Sequence, residues 1–124
     1  MRNWAIAGLA TATLAGSAVG QDVALVAAAS TAQLEEIQRV IEDTGFLDSV
    51  TFITTTTQTP SADDLAAFDA VMVWTNLTPD DPDGLGDALA DYVDAGGGVV
   101  VSVFANSSTT TARDLAGRRG GNPE

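Results

Sequence analysis

Four aspartates crowd one short stretch of this 124-residue chain. Asp80, Asp81 and Asp83 fall within Asp-Asp-Pro-Asp-Gly, and Asp87 follows one helical turn later. Clustered carboxylates in a loop are the hard oxygen ligands that calcium prefers. The spacing lacks the terminal glutamate of an EF-hand loop, and a helix starting here explains Asp83 and Asp87 by its dipole alone. Calcium is therefore the one cofactor that the sequence raises; otherwise none is expected. A second constellation is made of hydroxyls and an amide. Ser30 and Thr31 close one apolar run, and Trp74, Thr75 and Asn76 close another. If both runs are adjacent parallel strands, these residues meet at the carboxyl ends of the strands, where open α/β sheets hold ligands. Helix N-terminal N–H groups would converge there too, which suits a small polar or anionic ligand. The same residues also serve purely structural ends: Ser30 and Thr31 as helix caps, Trp74 as packing, Asn76 as a turn. The paired carboxylates Glu35-Glu36 and Asp63-Asp64 lie on outward helical faces, where solvated charge has no reason to do acid–base work.

What is missing narrows the chemistry further. The chain has no cysteine, no histidine and no lysine. That removes the Ser-His-Asp triad, the thiolate nucleophile, a zinc site of ordinary ligands, the P-loop and the Schiff base. The net charge of −12 rests on 17 acidic and 5 basic residues, and Arg39 is the one basic side chain between Gln21 and Ala112. Such a surface repels phosphate backbones, so no nucleic-acid partner is expected.

The elements that must position these residues follow from periodicity. Val23 to Ala29 is a nearly continuous apolar run, as in a strand buried on both faces. Leu34, Ile37, Val40 and Ile41 then mark one face of a helix that Thr44-Gly45 ends. Ser49 to Thr57 is β-branched and reads as a second strand. Ser61 caps a short helix, with Asp63 and Asp64 in its first turn and Leu65 and Phe68 facing inward. Ala70 to Thr75 is a third strand. Leu85, Leu89, Tyr92 and Val93 share a face of the next helix, Gly96-Gly97-Gly98 breaks it, and Val99 to Phe104 is a fourth strand. Strands alternating with helices predict a three-layer flavodoxin-like, Rossmann-like α/β domain with a parallel sheet in the order 2-1-3-4. A doubly wound domain would continue with another helix and strand, so the fold is expected to be incomplete at its C-terminus.

The stretches "FDAVMVWTN" and "DPDGLGDALADYVDAGGGVVVSVFAN" resemble the class I glutamine-amidotransferase-like domains, in particular noncatalytic versions in exported bacterial proteins. The most specific part is "LADYVDAGGGVVV", a helix running through a glycine turn into a strand, which is a scaffold signature. Catalytic members carry a cysteine at the sharp turn after a strand and a later His-Glu pair. Here that turn falls at Ala105-Asn106, and the nucleophile and its histidine have no counterpart. The resemblance implies a noncatalytic module for binding or scaffolding, with an unknown small polar ligand or protein as partner. The alternative is a fragment of a hydrolase or amidotransferase-like enzyme whose catalytic residues lie in a missing C-terminal half.

Residues 1–20 read as a signal peptide: a positive start, an uncharged run of apolar and small residues, and Ala18-Val19-Gly20 before Gln21. The run is too short and too rich in small residues to hold a bilayer, so no stable membrane insertion is expected after cleavage. The expected location is secreted, periplasmic or at the cell surface. The domain then spans 21–106, and 107–124 is a polar tail expected to be flexible because it offers little apolar surface to offset its ordering.

Overall fold

In the computed structural model the described residues are 20–102, 104–106 and 115. The elements alternate in chain order as β1 (Asp22–Ala28), α1 (Thr31–Glu42), β2 (Ser49–Thr54), α2 (Ala62–Leu65), β3 (Ala70–Thr75), α3 (Pro82–Asp94) and β4 (Gly98–Val101). All three strand pairings are parallel, and the sheet order is β2-β1-β3-β4, as the alternating pattern predicts. Register sets Ala27 beside Thr54 on one side and beside Trp74 on the other.

β1 and β3 each have neighbours on both edges, and in β1, covered by helices on both faces, Ala24 through Ala28 are fully buried. Successive side chains point to opposite faces. Ala24 and Val26 accordingly join Val71, Val73, Leu65, Leu85, Leu89 and Tyr92 in a core beneath α2 and α3. Leu25, Ala27, Ala29, Val50 and Trp74 join Leu34 in a second core beneath α1. Two cores divided by one sheet make the three layers.

Helix ends follow local chemistry. Ser30 caps α1 in a capping box with Gln33, and Ser61 does the same for α2 with Asp64. α3 ends in a Schellman motif: the Gly97 N–H donates to the Tyr92 carbonyl and the Gly96 N–H to that of Val93, both at 2.9 Å. Gly96 takes the required left-handed φ of 101°. A Cβ on Gly97 would stand 2.3 Å from the Tyr92 ring, so the second glycine is needed for the close approach of that ring.

Four expectations shift. β2 ends at Thr54 instead of Thr57: the Thr55 N–H makes one more bond, to the Ala27 carbonyl at 2.9 Å, before the chain leaves β1. β1 runs Asp22–Ala28, one residue earlier than the apolar run suggested. Phe104 is not in β4: it adopts φ 64°, and the Ala105 N–H returns to the Ser102 carbonyl, turning the chain. Val40 is exposed rather than part of the inward stripe of α1, since it stands about a third of a turn from Leu34. The predicted signal segment, residues 1–20, lies outside the described residues except Gly20. So does the predicted flexible tail, except Leu115, which is buried in the α2/α3 core with its N–H on the Ala105 carbonyl.

Candidate functional site

The β1 and β3 exits are neighbours by register, since Ala28 pairs with Thr75. The ladder continues one bond further, with the Leu77 N–H donating to the Ala28 carbonyl at 2.7 Å. The loop after β3 then crosses to the far side of β1, where the Asp80 N–H donates to the Thr55 carbonyl at 2.7 Å. Pro60 and Pro79 are buried in the two loops that meet there. The expected crevice between the strand exits is therefore bridged by backbone, and what remains is a covered site at the carboxyl end of the sheet.

Ser30, Thr31, Trp74, Thr75 and Asn76 are all at this end. Ser30 is exposed and spends its hydroxyl on the cap, accepting the Gln33 N–H at 3.4 Å. Thr31 is exposed at the first helical position. Thr75 is wholly buried on the α2/α3 face, and Asn76 is half-buried where the loop begins. Trp74 is only 4% exposed and packs in the α1-side core with Ala29 and Leu34, the residues that flank the cap.

Its indole nitrogen decides what this end of the molecule offers. Among the described residues, three buried side-chain polar atoms have no hydrogen-bond partner: Trp74 Nε1, Thr55 Oγ1 and Thr59 Oγ1. All three belong to β3, the end of β2 or the loop after β2, so all lie at the carboxyl end. An unpaired buried donor costs about 1–3 kcal/mol, and native proteins leave few of them. Thr55 and Thr59 were not visible as candidates, because "TTTTQTP" reads as the β-branched end of a strand. The surface depression at the opposite end, lined by Ala66, Phe68, Asp69, Tyr92 and Gly97, is less promising. Its polar walls are already paired: the Tyr92 hydroxyl donates to the Phe68 carbonyl at 2.8 Å, and Asp69 accepts the Asp22 N–H at 2.9 Å.

The aspartate cluster is drawn into building α3. Asp81 caps the helix, accepting the Gly84 N–H at 2.9 Å, Pro82 takes the first helical position, and Asp83 lies in the first turn. Asp83 and Asp87 also make interactions of their own. Among the described residues no three acidic side chains are grouped to hold a metal ion, so Asp80, Asp81, Asp83 and Asp87 are not brought together as a calcium cage. Of the paired carboxylates, Asp64 is engaged locally: the Ser61 N–H and hydroxyl hold its carboxyl below the ordinary range.

Comparison with protein-family models, curated proteins and solved structures returns no match. Function must therefore be argued from the site. Among the described residues no helix is long and apolar enough to cross a membrane.

Proposed function

We propose that this chain is a noncatalytic, exported α/β module that binds a small polar ligand at the carboxyl end of its sheet. One observation carries the reading: buried polar side-chain atoms without a partner, Trp74 Nε1 and Thr55 Oγ1 among them, occur at the carboxyl ends of β3 and β2. Open α/β sheets place ligands outside the carboxyl ends of their strands, at the point where strand order reverses. Here that point lies between β1 and β3. The resemblance to noncatalytic amidotransferase-like domains is consistent with a scaffold that keeps the site and lacks nucleophile and base.

The test is a thermal-shift screen of small polar compounds on three proteins. A ligand that raises the melting temperature of the wild type should lose its effect on Asn76→Ala while that variant still unfolds cooperatively. Val73→Ala, a core truncation, should melt earlier and keep the shift. An equal shift in Asn76→Ala and wild type would reduce Asn76 to the end of a strand. Export is tested separately by mass spectrometry of secreted material, which should begin at Gln21.

A further inference from the structure

We propose that the depression at the amino end of β3 and β4 is a second binding site, for a small primary alkylammonium ion, with Asp69 as its counter-ion. The depression measures about 280 Å³ and brings the segment before β3 together with the turn from α3 into β4. Every backbone N–H on its lining is already spent. Those of Ala66, Phe68 and Asp69 donate to the Ala62, Leu65 and Asp22 carbonyls, and those of Ala95, Gly96 and Gly97 to the Asp91, Val93 and Tyr92 carbonyls. The Tyr92 N–H lies inside α3, and the Tyr92 hydroxyl donates to the Phe68 carbonyl. The lining therefore has no donor to offer a ligand.

What the walls leave over is acceptors. Asp69 takes the Asp22 N–H on Oδ2, and among the described residues its Oδ1 has no partner. The Ala95 and Gly96 carbonyls accept no hydrogen bond among the described residues, and they stand where the α3 dipole is negative. The last turn of α3 carries no basic side chain, and Arg39, the one basic residue among those described, is paired with Asp43 on α1. The charge of Asp69 reaches into the depression: burial first, and then that charge, raise the Tyr92 hydroxyl above its ordinary value. Spare acceptors at negative potential select a cationic donor. An ammonium group supplies three N–H donors, and Phe68, Tyr92, Ala66 and Ala95 on the lining give its alkyl stem apolar and aromatic surface to cover. A metal ion fits less well, since it needs several hard oxygens and no three acidic side chains are grouped among the described residues.

The test uses the full chain and butylammonium chloride, which is protonated at pH 7 as a lysine side chain is. Nitrogen-15 spectra are recorded while it replaces sodium chloride at constant ionic strength. The Asp69, Gly96 and Gly97 amide peaks should move together and saturate. Butanol, with the same stem and no charge, should bind about tenfold more weakly. Asp69→Asn keeps the shape and an acceptor for the Asp22 N–H, and should weaken butylammonium binding about tenfold. Ala95→Lys sets a tethered ammonium at the exposed end of α3, where φ −80° and ψ 0° suit any side chain. It should weaken binding severalfold even if Asp69→Asn fails to fold. Wild-type affinity in Ala95→Lys would overturn the proposal. So would Asp63 and Asp80 peaks that move as far as those of Gly96 and Gly97, because the cation would then be spread over the acidic surface. Asn76→Ala, which probes the opposite end of the sheet, should bind butylammonium as the wild type does. Loss of binding there would overturn the placement, so either site can fail without the other.

Discussion

At the amino end of the sheet the strand ends are tied side chain to backbone. Asp69 accepts the Asp22 N–H at 2.9 Å and returns its own N–H to the Asp22 carbonyl at 2.8 Å, Ser49 donates to Asp22, and Tyr92 anchors the end of α3 to Phe68. At the carboxyl end the same strands finish in loops joined by backbone bonds, yet Thr55, Thr59 and Trp74 each bury a polar atom with nothing to bond. Both ends belong to one sheet with one register, so the contrast is set by side chains. A fold gains by pairing every buried polar group, and each one left unpaired at this end of the sheet is a cost that a bound partner can remove.

The comparison can be broken by mutation. The largest effect is expected at the paired end. Tyr92→Ala should cost about 3–5 kcal/mol, because it empties part of the α2/α3 core and strands the Phe68 carbonyl. Chemical denaturation measures it, and a loss below about 1 kcal/mol would show that this end is not the anchor. The next effect has the opposite sign. Thr55→Val replaces an unpaired buried hydroxyl with a methyl of similar size and should stabilise the ligand-free protein by about 1–3 kcal/mol. Destabilisation of that size would mean that the hydroxyl is already satisfied by bound water.

Tyr92→Phe isolates the hydrogen bond and should cost about 1 kcal/mol at neutral pH. Burial, and secondarily the charge of Asp69, raise the Tyr92 hydroxyl above its ordinary value of 10.0. A raised value means that the contribution is complete below about pH 10 and is lost as pH climbs through the folded value. Denaturation midpoints measured across that alkaline range should fall in the wild type and fall less in Tyr92→Phe. The smallest effect lies at α2. Asp64 is held below its ordinary 3.8 by the Ser61 N–H and hydroxyl, so its contribution is present above that value and is lost as pH falls through the folded one. Asp64→Asn should flatten the acid limb slightly, and an unchanged limb would remove Asp64 from the capping box in solution.

The three-layer architecture is written in local patterns along the chain. The unbroken apolar run of β1, the cap residues Ser30, Ser61 and Asp81, and the glycines after α3 are local signals, and each acts within a few residues of itself. The alternation of strands with helices then leaves few topologies, because parallel crossovers are right-handed. Part of the candidate site is legible at strand ends: Ser30, Thr31, Trp74, Thr75 and Asn76 follow β1 and close β3, whereas Thr55 and Thr59 read only as the β-branched end of a strand. Whether each has a partner was not legible. Pairing depends on groups distant in sequence, such as Asp80 reaching Thr55 across β1, or Tyr92 reaching Phe68 from the end of α3. Only the tertiary packing brings Leu115 into the core and buries the Trp74 indole without an acceptor. Hydrophobic periodicity specifies which face of an element is buried; it carries no information about which polar atoms meet once the faces have closed.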